Sequence, residues 1–202
     1  MKLYEQFPNR IEVGGRVYPL TLYFDRVLRF LDLLESEEYS AEEITQAGFA
    51  WLTDCGKNPP IEVKSEVLNR LISEIIAPPK RRISGGEKLQ KAVDFSYDAA
   101  EIYASFMRDY HIDLEKEQGK MHWCAFIALF NGLSEDSPIK QIMKIRTEKI
   151  PPPNRHNAKQ IQRLTELKTL YALPVKSGDN SGGDGWGGLF DLLLKKAEKE
   201  VR

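Results

Sequence analysis

Residues 93–146 read VDFSYDAAEIYASFMRDYHIDLEKEQGKMHWCAFIALFNGLSEDSPIKQIMKIR, and this stretch decides the fold. Three helices with clear stops between them are legible in it. In the first, Phe95, Ala99, Ile102, Tyr103, Phe106 and Tyr110 recur at three- and four-residue steps and make one apolar face. Ser96, or Asp94 just ahead of it, is placed to accept from the free amides of the first turn. Asp98 and Glu101 put negative charge where the helix dipole favours it. The second helix, 120–131, is apolar nearly all round, with Met121, Trp123, Cys124, Phe126, Ile127, Leu129 and Phe130. A helix of that kind is normally the buried centre of a domain. Gly132 stands where a left-handed C-terminal cap would go. The third helix opens on Ser137 and Pro138, an N-cap followed by proline at the first helical position. Ile139, Ile142, Met143 and Arg146 then share a face. The expectation is a central hydrophobic helix held between two amphipathic ones.

Upstream, residues 11–18 read as two short strands around Gly14-Gly15, the residues that supply positive φ in a two-residue hairpin. An isolated hairpin is marginal in water, so it must pack on something. Residues 23–34 offer a helix with Val27, Phe30, Leu31 and Leu34 as its apolar stripe, and Arg26, Arg29 and Asp32 off it. Ser40 and Glu43 have capping-box spacing, and Tyr39 with Ile44 has the spacing of a hydrophobic staple, so a helix is expected from there to about Thr53. Pro59-Pro60 opens another, facing Val63, Val67, Leu68, Leu71, Ile72 and Ile75 inward and closed by Pro78-Pro79. Residues 78–90 are a linker by composition, with Lys80-Arg81-Arg82 as a solvated basic run.

Downstream, Pro151-Pro152-Pro153 makes a stiff spacer before a helix at about 157–171 with Ile161, Leu164, Leu167 and Tyr171. Residues 177–188, SGDNSGGDGWGG, read as a flexible tether. It ends in an amphipathic helix at 189–194, whose Leu189, Phe190, Leu193 and Leu194 are the candidate partner-binding residues; the equal alternative is that it folds back onto the core. The fold class expected is mainly α. An N-terminal β-hairpin packs on a multi-helix bundle, followed by a Gly-rich tether and a short C-terminal amphipathic helix. The domain organisation expected is a single helical domain over 1–150, a Pro-led spacer and helix over 151–176, and a tail over 177–202.

The chain has 202 residues, 42% of them hydrophobic and 29% charged, which is ordinary for a globular protein. Lys plus Arg number 29 against 30 for Asp plus Glu, a formal charge of -1, which argues against a dedicated nucleic-acid binder. Cys55 and Cys124 fall in separate elements, so a disulfide framework is not expected. The start, MKLYEQFPNR, has a proline and charges where a signal peptide needs an apolar run, and the longest apolar run is far short of the ~20 residues that span a bilayer. A soluble protein of the cytoplasm is expected.

No catalytic constellation stands out, and no cofactor or metal is expected. His122 and Cys124 are two apart on a helix and point away from each other. His111-Ile112-Asp113 lacks further ligands at zinc spacing. Asp94, Asp98 and Glu101 invite an acid/base or magnesium reading, but helix N-termini collect acids for electrostatic reasons alone. The aromatic residues read as core rather than as a base-stacking platform.

The same stretch carries a family resemblance. It lies in Asp94-Phe95 with Asp98, Ile102-Tyr103-Ala104-Ser105-Phe106, Tyr110-x-Ile112-Asp113-Leu114, His122-Trp123-x-x-Phe126, Leu129, Gly132-Leu133 and Ile145-Arg146. Near the start, Val13-x-Gly15-Arg16-x-Tyr18-x-Leu20 and Phe24-Asp25-Arg26-Val27-Leu28 add to it. This ordered set resembles the gene-product-fifteen family, small proteins from the tail modules of long-tailed phages and prophages of Gram-positive bacteria. Cys124, where a second aromatic is expected after Trp123, departs from the pattern. The resemblance covers roughly residues 1–150 and implies a non-catalytic tail assembly chaperone in the host cytoplasm. Its implied partners are the tape-measure protein and other tail proteins. The contact is expected at the 189–194 helix, or at a groove beside the hairpin, with the tape measure or with a sister copy. The alternative from another class is a small helical DNA-binding regulator, supported by the helices of the first half and by Lys80-Arg81-Arg82. An enzyme stands third, and would need an unsuspected ligand at Asp94, Asp98 and His111.

Overall fold

The computed structural model describes residues 4–36, 38–76 and 92–174, which form two compact units. The linker read at 78–90 with its basic run, and the tail with Leu189, Phe190, Leu193 and Leu194, lie outside the described residues.

The first unit contains residues 4–36, 38–76 and Leu114–Asn131. Strands β1 (Arg10–Val13) and β2 (Arg16–Pro19) pair antiparallel, with Ile11 opposite Tyr18 and Val13 opposite Arg16. Gly14 and Gly15 join them at φ of 57° and 73°, the left-handed pair expected of a tight hairpin. Ile11, Val13 and Tyr18 are buried, and Arg70 reaches from the helix beneath to the Glu12 carbonyl at 2.6 Å. The hairpin therefore has the support that a lone two-stranded ribbon lacks.

Helix α1 (Phe24–Glu35) buries Phe24, Val27, Phe30 and Leu34. Helix α2 (Ala41–Leu52) begins with the expected capping box: Glu43 N–H donates to Ser40 Oγ at 3.3 Å, and Ser40 N–H donates to Glu43 Oε2 at 2.9 Å. The two helices pack closely at Gly48, where a Cβ would stand 2.3 Å from Phe30 Cε2. Helix α3 (Ile61–Leu71) continues into a π-turn over Ile72–Ile76. The wider turn carries the buried position from Leu71 to Ile76 rather than to Ile75, which is why regular helical spacing singles out the wrong isoleucine.

Helix α5 (Trp123–Asn131) belongs to this first unit and packs against α1 and the π-turn. Phe126 stacks on Phe24 with ring centroids 5.0 Å apart, and on Trp123 at 5.7 Å. The Trp123 indole N–H donates to the Ile76 carbonyl at 3.3 Å, tying α5 to the π-turn. The helix starts three residues later than its apolar pattern predicts because 121–123 are committed elsewhere. Phe24 N–H bonds Met121 O at 3.0 Å, and Trp123 N–H bonds Leu22 O at 2.7 Å.

The second unit contains residues 92–113 and 132–174. Helices α4 (Ala99–Tyr110) and α6 (Pro138–Thr147) pack together, and α7 (Ala158–Leu170) lies on α6. The expectation of one hydrophobic helix between two amphipathic ones is thus corrected. The flanking helices α4 and α6 meet each other, and α5 finds its cover on α1 and the π-turn. Two caps also differ from expectation. Gly132 does not have positive φ; the left-handed position belongs to His111 at φ 56°, where the amides of His111 and Ile112 close the end of α4 on Met107 O and Phe106 O. Ser137 is the N-cap of α6, but its buried hydroxyl makes no bond, and Ser105 Oγ of α4 accepts from Ile139 N–H at 3.1 Å instead.

Candidate functional site

The stripe of α4 that is buried runs Asp98, Ile102, Ser105 and Phe106, spaced four, three and one apart along one helical face. Ser105 Oγ donates to the Glu101 carbonyl at 2.6 Å while it accepts from Ile139 N–H. Tyr103 and Ala99, read as part of this face, are exposed. Helix α6 buries Ile139, Ile142 and Arg146. The polar members of the two stripes meet. Arg146 Nη1 and Nη2 donate to Asp98 Oδ2 and Oδ1 at 2.6 and 2.7 Å, with side-chain exposures of 6% and 2%. This is the planar fork geometry that arginine offers a carboxylate.

The remaining donors of Arg146 bind main chain. Nη1 reaches the Ala92 carbonyl at 3.0 Å, and Nε reaches the Tyr171 carbonyl at 2.7 Å. Lys168 Nζ donates to the Arg146 carbonyl at 2.7 Å, returning a bond from α7 to α6. Asp98 Oδ2 also accepts from Asp94 N–H at 2.9 Å. Asp94 itself turns the chain into α4 by accepting from the amides of Ser96 and Tyr97. A buried pair so fully bonded orders four pieces of chain around one guanidinium. Its carboxylate is committed to arginine, so the acid cluster read at Asp94, Asp98 and Glu101 resolves into structural roles for the first two.

His122 is the second polar centre, in the first unit. It precedes α5, and its Nδ1 accepts from Cys124 N–H at 3.1 Å. Its Nε2 lies 3.1 Å from the Pro8 carbonyl, a bond that ring nitrogen makes as the donor, so the ring is neutral with the proton on Nε2. Phe7 stacks on it at 4.9 Å with the planes 8° apart. Burial holds its pKa below the ordinary 6.5, opposed in part by the bond to Pro8. Burial likewise raises the pKa of the Cys124 thiol. Both ring nitrogens of His122 serve the fold. The His111-Ile112-Asp113 segment is a helix cap, with Asp113 accepting from the Tyr103 hydroxyl at 3.2 Å. Among the described residues no three His, Cys, Asp or Glu side chains gather as a metal site would require.

Cations do lie over aromatic rings in the first unit: Arg26 over Tyr23 at 5.3 Å, Arg29 over Trp51 at 5.8 Å and Lys64 over Phe49 at 5.8 Å. Arg26 also donates to Thr21 Oγ1 and the Trp51 carbonyl, so its head is tied into the fold. Tyr23 and Arg26 are three apart at the start of α1, whereas the other two pairs join different helices and only the fold brings them together. The signal for Asp98 and Arg146 was present: an arginine on the apolar stripe of α6 demands a buried partner.

These sites define a mainly helical protein with an N-terminal hairpin, whose buried polar groups hold its own elements in place. No helix of the described residues is long and apolar enough to cross a membrane. A family described as Bacteriophage Gp15 protein matches residues 3–173, and the chain belongs to that family. It is therefore a phage-type protein. No curated protein and no solved structure matches it.

Proposed function

We propose that the chain is a tail assembly chaperone, a non-catalytic protein of the host cytoplasm that covers the apolar helices of the tape-measure protein until tail-tube subunits replace it. The observation that carries this reading is the family match over residues 3–173. Two features support it. Tyr97, Ile150 and Leu170 of the second unit are 55%, 49% and 69% exposed, so apolar side chains reach solvent there. Leu189, Phe190, Leu193 and Leu194 add an amphipathic pattern at the end of the chain, outside the described residues. Such a role needs no cofactor and no metal.

Co-expression with a tape-measure fragment tests it. The full chain is expected to keep the fragment soluble, and truncation at Gly178 to weaken that effect. If the fragment stays insoluble with both forms, the chaperone role is wrong.

A further inference from the structure

Two arginines of the first unit lie over aromatic rings where α1 meets the end of α2. Arg26 stands 5.3 Å from the ring centroid of Tyr23, and Arg29 stands 5.8 Å from that of Trp51. They are three apart on α1, so their side chains leave the helix as neighbours, one turn from each other. Arg26 commits Nη1 to Thr21 Oγ1 at 3.1 Å and to the Trp51 carbonyl at 3.3 Å. Its Nε and Nη2 have no acceptor among the described residues, and that edge is one of the two-pronged forks that arginine presents to a carboxylate. Arg29 is exposed and makes no hydrogen bond or ion pair among the described residues. The acid beside Arg26 does not neutralise it, since Asp25 accepts from Gly119 N–H at 2.9 Å. A surface arginine without an acceptor would otherwise sample many rotamers. Holding it over a ring removes in advance freedom that binding would have to remove.

We propose that Arg26 and Arg29 form a docking site for an acidic helix of a partner protein, in which two carboxylates one turn apart each take one guanidinium fork. The spacing matches on both sides. Carboxylates three or four apart on a helix have Cβ atoms about 5–6 Å apart, as the two arginines do on α1. Two parallel N–H···O bonds to a carboxylate are the strong pairing open to a guanidinium, and they need its plane to be fixed. The Tyr23 and Trp51 rings supply that constraint. A nucleic acid suits the site less well. Base stacking needs open ring faces, and Tyr23 and Trp51 each carry a guanidinium on one of theirs. The chain as a whole also carries a formal charge of -1, and a polyanion approaching it meets as many acids as bases. The site does not rest on the chaperone role: it is read with a peptide alone, whereas the co-expression test reads the solubility of a tape-measure fragment.

The experiment is a nuclear magnetic resonance titration of the full chain, following the arginine Nε–H signals. The probe is an alanine-based helical peptide with two glutamates at i and i+4. The Arg26 and Arg29 signals are expected to move together and to saturate, and the same peptide with glutamines should leave them in place. Arg29→Gln should weaken binding by roughly fivefold, the most that a single exposed ion pair supplies. Arg29→Lys keeps the charge and loses the fork, and should bind nearer to Arg29→Gln than to the wild type. Arg29 makes no hydrogen bond within the described residues, so both variants should melt with the wild type. Signals that stay in place at millimolar peptide overturn the proposal. So does an Arg29→Lys variant that binds as tightly as the wild type, or single-stranded oligothymidylate that moves the same signals at lower concentration than the peptide.

Discussion

Arg146 and Asp98 hold one another inside the second unit, and neither has a second ion-pair partner among the described residues. Removing one side of a buried pair leaves the other charge uncompensated, so Asp98→Ala is expected to lower unfolding free energy by about 3–5 kcal/mol in a urea titration. Replacing both, as Asp98→Leu with Arg146→Met, should recover only part. The half-buried carbonyls of Ala92 and Tyr171 would still lose their donor, at about 0.5–1.5 kcal/mol for each hydrogen bond lost. Full recovery would mean that the arginine's main-chain bonds contribute nothing. His122 makes a prediction about pH. Its folded pKa is depressed by burial, so below the ordinary value the unfolded chain takes up a proton that the folded chain refuses. The stability it contributes is complete above about pH 6.5 and is lost as pH falls through the lower folded value. His122→Asn keeps an acceptor for the Cys124 amide without titrating, and should flatten the fall in urea midpoint between about pH 7 and 5. An unchanged slope would place the titration elsewhere. Both centres were half legible in the sequence. The acids at the start of α4 and the arginine on α6 could be seen, but periodicity counts only apolar residues and so misses a stripe completed by Asp98 and Ser105.

At the level of elements, local chemistry carried most of the information. Ser40 with Glu43, Gly14 with Gly15, and the tandem prolines ahead of α3 are short-range devices, and each operates as its spacing predicts. What failed were features decided at a distance. Ser137 occupies the N-cap of α6, yet Ser105 from α4 bonds the amide. Gly132 ends α5 without a left-handed turn, while His111 adopts one at the end of α4. The π-turn shifts the buried face by a residue with nothing in the sequence to announce it. Gly48 shows how tightly α1 and α2 are matched. Alanine there gains helix propensity of up to about 1 kcal/mol, but its Cβ would lie 2.3 and 2.8 Å from ring atoms of Phe30 and 3.2 Å from Leu68 Cδ1. Phe30 is 1% exposed and has little room to swing. Gly48→Ala is therefore expected to destabilise the protein by about 1–3 kcal/mol, read as a lowered melting temperature. A raised one would show that the two helices part readily.

Over the whole molecule, composition and hydropathy led to the right class of fold, a mainly helical chain with a hairpin at its start. The pairing of its helices was not legible. Apolar periodicity says which side of α5 needs cover, and in fact nearly every side does, but it does not say whose surface provides it. Neighbours in sequence were the natural guess, and the chain instead sends Leu114–Asn131 to the first unit and returns for α6 and α7. Family membership, by contrast, was legible, because the residues that carry it are dispersed through both units rather than concentrated at one site.

The Arg146 cluster has a mechanical consequence. Ala92, ahead of α4, and Tyr171, at the end of α7, are bound by nitrogens of the same guanidinium. Tension between those two segments is thus borne across one side chain. A single arginine acts as the shackle of the unit, and under a pull the first event would be its release rather than the unwinding of α6 or α7.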